Sequence, residues 1–294
     1  MTWHRPADAG TSTTRVSAEE AGWTYSGLEV HTLGGGRTVT VELSRDEAVV
    51  VPLSARDVTV GVDGTTYLLA GRDGVFAAVS DWLYVPVGST LTLAADSGEV
   101  AICTARATER FPVAHVAAAD VPVEVRGAGQ ATRQVTNIAT PGSFAGAHKI
   151  NVCEVITPGG NWSSWPPHRH DGLDGCPVTN EEIYYFRLGR GDSAHGDAAG
   201  QGLFHVYSVD GALDETVTVH DRDVYLVPHG YHGPSVAPPE YPMYFLNVLA
   251  GPDKERSMAF CDDATHHWIR ESWQQQPQDP RLPLTSASGR AAQA

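Results

Sequence analysis

Two histidines one residue apart, His168 and His170 in Pro166-Pro167-His168-Arg169-His170, mark the part of the chain richest in potential chemistry. On a strand, residues i and i+2 project from one face, so two such imidazoles can share a metal ion. A lone His-x-His is more often a surface or hydrogen-bonded pair, and its company is what singles this one out. Glu182 opens a later strand-like run, and Pro228-His229-Gly230-Tyr231-His232 ends another at a tight turn. Together His168, His170, Glu182 and His232 would offer one divalent ion three nitrogens and an oxygen, leaving one or two positions open for a substrate. Zinc, manganese, iron and nickel all suit these donors, with zinc or manganese favoured.

Such a site needs strands that converge, and the chain is written in short strands. From about Tyr25 to Ala105, alternating runs such as Thr38–Leu43 and Ala48–Leu53 are separated by turn clusters like Gly61-Val62-Asp63-Gly64. The pattern returns from Lys149 to Val248 in Asn151–Ile156, Glu182–Phe186, Leu203–Tyr207, Thr216–Val219, Val224–Val227 and Tyr244–Val248. With 30 glycines and 19 prolines in 294 residues, tight turns outnumber any room for long helices. At about 100–200 residues per domain, the expectation is an all-β chain of two domains, each a sandwich or jelly-roll barrel. Residues 1–120 form the first barrel, 121–148 a linker with a basic, glycine-bearing segment, 149–270 the second barrel, and 271–294 a flexible tail. A weak repeat agrees with duplication, since Asp81–Ser89 and Asp223–Tyr231 each run a strand into a Pro-x-Gly turn.

A formal charge of −15, from 20 Lys and Arg against 35 Asp and Glu, repels phosphate backbones and anionic membranes, so neither is an expected partner. An anionic small molecule remains compatible if the positive charge is local. The four cysteines, Cys103, Cys153, Cys176 and Cys261, contain no Cys-x-x-Cys pair and are expected to be free thiols. The N-terminus carries no apolar signal-like stretch, and no run approaches about 18 uninterrupted apolar residues, so a soluble cytoplasmic protein is expected.

The His-x-His, the glutamate and the Pro228-x-Gly230-x-His232 turn resemble the two motifs of the cupin superfamily. The spacing is unusual, because eleven residues, Asp171 to Glu181, separate His170 from Glu182. The longer strings Thr157–Asp171, Glu182–Phe186, Gly230–His232 and Tyr244–Gly251 resemble the 5-deoxy-glucuronate isomerase family of bacterial inositol catabolism. More loosely, so do Trp82–Pro86, Arg126-Gly127 to Arg133, and His267–Ile269, so the resemblance spans nearly the whole chain. It implies a bicupin of two jelly-roll barrels, with a degenerate N-terminal barrel and the metal in the C-terminal one. The first half agrees, having Thr90 where the second has His232, and no His-x-His before it.

The implied reaction converts 5-deoxy-D-glucuronate to 5-dehydro-2-deoxy-D-gluconate, an aldose–ketose isomerisation through an enediol that needs no redox cofactor. A metal that chelates the aldehyde oxygen and adjacent hydroxyl would stabilise the enediolate. With Glu182 taken as a ligand, Tyr184 on its face and Tyr231 and His229 beside the second motif are the acid/base candidates. Arg133, Lys149 and Arg187 are the candidate partners of the substrate carboxylate. Each also has a plainer reading: a linker salt bridge for Arg133, a solvated strand end for Lys149, and a solvated or subunit-interface arginine for Arg187, which alternation sets opposite Glu182.

Rival readings are a related hexuronate ketol-isomerase, an iron dioxygenase, and a non-catalytic sugar-binding cupin. No basic helix-turn-helix pattern accompanies the chain, which disfavours a sugar sensor acting on DNA. Gly34–Gly36 reads as a hairpin loop, His195, His205, His220, His266 and His267 as surface histidines, and Trp162 and Trp165 as packing beside the barrel mouth. Two barrels could associate within the chain or between chains, so a homo-oligomer is compatible with the sequence.

Overall fold

The structure is a computed structural model that describes residues 2–8, 10–173, 175–191 and 193–291. Two barrels stand back to back. The first packs a six-stranded antiparallel sheet, in the order Ala114–Val116, Trp82–Val85, Asp46–Pro52, Ser97–Arg106, Ser26–Gly34, Thr13–Val16, on a four-stranded sheet running Val39–Glu42, Thr90–Ala94, Arg56–Val62, Thr65–Gly71. The second packs a seven-stranded sheet, His4–Arg5, Val224–Val227, Glu181–Leu188, Met243–Ala250, Asn151–Thr157, Arg133–Asn137, Val123–Arg126, on a smaller sheet. That smaller sheet runs Asp214–His220, Gln201–Tyr207, Tyr231–Val236, His168–Arg169, Cys261–Asp262. No helix among the described residues is long and apolar enough to cross a membrane.

Outer strands obey simple alternation: in Arg56–Val62, Val58, Val60 and Val62 are buried while Arg56, Asp57 and Thr59 are exposed. Central strands do not, because each large sheet has a core on both faces. In Glu181–Leu188, Tyr184, Phe186 and Leu188 fill the second barrel, while Ile183 and Tyr185 join Val49, Val51, Leu246 and Val248 between the barrels. A strand covered on both sides reads as a continuous apolar run. This two-sided burial is why Glu182, on the same face as Tyr184, points into the barrel interior rather than toward the partner sheet.

Polar groups also cross the seam between the barrels. The Glu181 carboxylate accepts backbone N–H groups from Thr24, Tyr25 and Ser26 at 2.7–2.8 Å. Arg72, from the first barrel, is fully buried against Glu154 of the second, whose carboxylate also accepts the Tyr244 hydroxyl at 2.7 Å. Buried charges are tolerated when paired and hydrogen-bonded in this way.

Three expectations need correction. Residues 121–148 are more than a linker: Val123–Arg126 and Arg133–Asn137 are strands of the second barrel's large sheet. The tail 271–294 is tied down through residue 291. The Gln134 amide oxygen accepts the N–H groups of Leu284 and Thr285 at 2.8 and 3.0 Å, and Leu284 is buried. The last three tail residues, and Asp174 of the insertion, lie outside the described residues. Finally, Cys176 and Cys261 form a disulfide, and Cys103 and Cys153 alone are buried free thiols. The spacing hid this pair because the antiparallel pairing of His168–Arg169 with Cys261–Asp262 closes an 85-residue separation.

Candidate metal centre

Each expected ligand reaches the interior of the second barrel by a local necessity. His168 faces His232 directly across an antiparallel pair, their rings 4.4 Å apart. His232 follows Gly230, whose φ of +83° is left-handed and where an added Cβ would stand 2.5 Å from the Tyr207 carbonyl oxygen. Only glycine meets both conditions, so the Pro-x-Gly turn is what delivers His232. His170 is oriented by the insertion that separates it from Glu182. Its Nδ1–H donates to the Asn180 carbonyl at 2.9 Å, which turns Nε2 toward Glu182 Oε2, also 2.9 Å away. A ring held through its other nitrogen is the usual support of a metal-ligating histidine. The insertion closes through the Asp171–Thr179 bridge, and Asp171 accepts the Gly230 N–H at 2.9 Å, tying both motifs together.

Ligand atoms of His170, Glu182 and His232 all lie within 4.8 Å of one another, in a buried cluster able to hold a metal ion. His232 is 0% exposed; its Nε2 lies 3.0 Å from Glu182 Oε2, and its Nδ1 has no hydrogen-bond partner among the described residues. Two imidazole nitrogens, from His170 and His232, thus converge on one buried carboxylate oxygen at 2.9 and 3.0 Å, and a donor set so crowded together out of water fits a bound cation. His168 stands beside this trio, its ring 6.3 Å from that of His170, and lines the same cavity.

Electrostatics match the same arrangement. Burial alone would raise the Glu182 carboxyl, but attraction to His232 and hydrogen bonds to His170 and His232 hold it well below the usual carboxylate range. Burial, aided by the neighbouring imidazole, pushes His168 down, and His232 is lowered by burial as well. His170 moves the other way: burial would lower it, but the hydrogen bond and attraction to Glu182 raise it, so a divalent ion binding here would take the place of a proton shared between His170 and Glu182.

The cavity of about 470 Å³ in front of the cluster is the size of a small-ligand site. Of the acid/base and carboxylate-binding candidates, Tyr184 and Arg133 line it; Tyr231, His229, Lys149 and Arg187 do not. The Tyr184 hydroxyl lies 3.4 Å from Ser164 Oγ, and burial followed by the Glu182 charge raises its pKa well above the ordinary phenol value. Tyr231 faces away from His232 across the strand, tilted against Tyr207 with rings 5.4 Å apart, and His229 is exposed in the turn. Lys149 donates its ammonium to the Pro252 and Asp253 carbonyls. Arg187 is buried at the seam between the two barrels of the chain, bonded to Glu99 at 2.6 Å and Asp221 at 2.8 Å, so it is neither solvated nor in the cavity.

Arg133 is different. Its one hydrogen bond goes to the Ala131 carbonyl at 3.1 Å, and among the described residues no carboxylate pairs with it. Burial, then repulsion from Arg126 and Arg270, lowers its pKa to about 10, so it stays charged at neutral pH but under-solvated. Sequence reasoning missed Arg270, Trp273, Phe260 and Asn247 in the same wall. Asn247 was findable: it pairs with Tyr184 and is the lone amide in an otherwise apolar strand, Met243–Ala250. The others arrive from the expected tail and its approach, where no periodicity points inward.

Residues 2–269 match the KduI/IolB family model. A 5-deoxy-glucuronate isomerase of Geobacillus kaustophilus (strain HTA426) is 38% identical over 274 residues, covering 92% of this chain and 94% of its own. The protein of the same name from Bacillus subtilis (strain 168) is 34% identical over 262 residues, 87% of this chain and 92% of its own. Among solved structures, an IolB-like protein from Salmonella typhimurium LT2 superposes with a TM-score of 0.82 at 31% identity, covering 92% of this chain and 99% of the other. Bacillus subtilis oxalate decarboxylase, at 12% identity and a TM-score of 0.57 over 85% of this chain and 74% of its own, shares the two-barrel fold alone. With its barrels, ligand cluster and nearly full-length matches in agreement, the chain belongs to the KduI/IolB family.

Proposed function

We propose that this chain is an enzyme converting 5-deoxy-D-glucuronate to 5-dehydro-2-deoxy-D-gluconate in myo-inositol breakdown. Its relatives carry the name of that isomerase along nearly their whole length. The observation that carries the reading is one cavity lined by His168, by His170 and Glu182 of the cluster, by Tyr184 and by the half-buried Arg133 guanidinium, which has no carboxylate partner among the described residues. A sugar acid has complementary parts: a carbonyl with a neighbouring hydroxyl at one end and a carboxylate at the other.

One divalent ion, zinc or manganese in preference to iron or nickel, would be held by His168, His170, Glu182 and His232 in the C-terminal barrel. When bound, such an ion withdraws electron density from the carbonyl and adjacent hydroxyl oxygens and so lowers the cost of enediolate formation. The chain's own groups supply the rest. Arg133 would hold the substrate carboxylate by charge-assisted hydrogen bonds and thereby set which end of the sugar meets the ligands. Tyr184, protonated at neutral pH and beside Ser164, suits a donor that hands its proton to a substrate oxygen and takes it back as hydrogen passes from C2 to C1. The apolar wall of Phe245 and Phe260 limits water around the reacting carbons.

Incubating metal-loaded protein with 5-deoxy-D-glucuronate in deuterated water and following the C1 and C2 protons by NMR tests this. Chelator-sensitive appearance of the ketone is expected, with solvent deuterium entering at C1 where the proton exchanges. Sugar that binds and stays unchanged would make the chain a non-catalytic sugar binder instead.

A further inference from the structure

Beyond Arg133, the cavity wall carries a second guanidinium that no expectation assigned. Arg270 lines the cavity and stacks over Trp273 with its guanidinium 5.1 Å from the ring centroid; Arg133 lies over the same ring at 5.5 Å. Two like charges on one indole repel at short range, and a cation–π contact to each only partly offsets that. An anion between them would reverse the sign of the interaction.

The charges of the wall show how large an anion is wanted. Arg126 is paired with Glu124 at 2.6 Å, and Arg270 with Asp262 through Nη2 at 2.6 Å and Nε at 2.5 Å. Arg133 has no such partner, so of these three guanidiniums it alone lacks a paired carboxylate. Because the Asp262 pair uses Nε and Nη2, Arg270 keeps Nη1 without a hydrogen-bond partner among the described residues. Asp262 is itself fixed: it pairs with His168 in the sheet, and its neighbour Cys261 is bonded to Cys176 of the insertion. The Arg270 fork is therefore held in place before any ligand arrives, as specificity requires.

We propose that Arg270 is a specificity-determining residue that, with Arg133 in the same cavity wall, forms a two-guanidinium clamp for a single substrate carboxylate and discriminates a uronate from the corresponding neutral aldose. The proposal rests on the isomerase reading and adds the second residue and the basis of selection.

The test uses the metal-loaded full chain with 5-deoxy-D-glucuronate and with 5-deoxy-D-glucose, which has a hydroxymethyl group in place of the carboxylate. Arg270→Met is expected to raise KM for the uronate about 10- to 100-fold, the worth of a charge-assisted hydrogen bond, with little change in kcat and none in kcat/KM for the neutral aldose. Arg270→Met also leaves Asp262 with His267, 2.8 Å away, as its remaining side-chain partner, so the double variant D262N/R270M is measured beside it. It keeps the net charge of the wall but lacks the guanidinium, and the same loss is expected. Recovery in the double variant would overturn the proposal, because Arg270 would then serve only to neutralise Asp262. Equal losses on both sugars would also overturn it, as would unchanged uronate KM. If Arg270→Met does not fold, Arg270→Lys, which keeps the charge without the fork, is expected to show a smaller uronate-selective loss. If the wild-type chain turns over neither sugar, the isomerase reading fails separately. Calorimetric binding of the uronate to wild type and variants then decides the clamp, equal affinity overturning it.

Discussion

Glu182 and Ala48 occupy equivalent places in the two barrels. Glu182 pairs with Val227 and Ala48 with Val85, and Val227 and Val85 are the residues just before the proline of the repeated turn. Gly230 and Gly88 of those turns have φ of +83° and +78°, and two residues beyond them stand His232 and Thr90. Even the residue that begins each repeat acts alike, since Asp223 binds His4 at 2.8 Å and Asp81 binds His115 at 2.9 Å. The two halves thus share a scaffold, and the candidate ligands His170, Glu182 and His232 stand in the second.

Metal analysis of the purified chain should therefore give about one divalent ion per chain. Replacing Glu182 by Gln keeps the size and removes the charge, and should weaken metal binding by at least about 100-fold, since losses of 10- to 100-fold already follow from disturbing outer-shell partners. Elemental analysis after dialysis checks this. Two ions per chain, or full retention in Glu182→Gln, would contradict a single site built on this carboxylate.

Tyr184→Phe separates the hydroxyl from the packing of the ring, which lies among Phe186, Phe204 and Phe245. The variant should fold, hold its metal and lose roughly 10²- to 10⁴-fold in kcat, the usual contribution of a positioned proton donor. Parallel replacements Tyr231→Phe and His229→Ala, outside the cavity, should leave kcat unchanged. Steady-state rates at measured metal content decide between them.

Much of this was legible in residue order. The strands Asn151–Thr157, Glu181–Leu188 and Met243–Ala250 follow from β-rich apolar runs, and His168, His170, Glu182 and His232 follow from ligand type plus turn chemistry. What sequence patterns do not carry is the closing of long separations. Gln134 meets Leu284 and Thr285 across about 150 positions, and Arg270 reaches the cavity because Asp262 is paired beside His168. The cysteine pair failed for the same reason: a motif search reads neighbours in sequence, whereas a two-residue strand brought Cys261 to the insertion.

Titration with a thiol reagent under denaturing conditions, without reductant, should find two thiols per chain, Cys103 and Cys153, and four after reduction. Cross-linking a loop of this length confers about 2–4 kcal/mol, so a dithiol reductant or Cys261→Ser should lower the denaturation midpoint accordingly. Four thiols before reduction would mean that the bond is not formed in the purified protein.

Asp223 supplies a pH-dependent part of the stability. Burial would raise its carboxyl, but the hydrogen bonds from His4, Ala7 N–H and His220 N–H lower it overall. A carboxyl whose folded pKa lies below its unfolded value of about 3.9 stabilises the fold fully above that pH and loses the contribution as pH falls through the folded pKa. Urea midpoints measured from pH 6 downward should therefore decline on acidification, and Asp223→Asn should start lower and decline less steeply. Identical slopes in the two proteins would show that this carboxyl does not contribute.

Arg187 separates stability from substrate binding. It is buried between Asp221 of its own barrel and Glu99 of the other, and Glu99 also pairs with Arg222 at 2.9 Å. Removing the guanidinium leaves two buried carboxylates facing one another, so Arg187→Met should cost about 3–5 kcal/mol of stability. The uronate KM should stay at the wild-type value below the melting range, because the side chain lies on the face of its strand opposite Glu182. A denaturation midpoint near wild type together with a raised KM would return Arg187 to the substrate site, and would require the two barrels to part at this seam during catalysis.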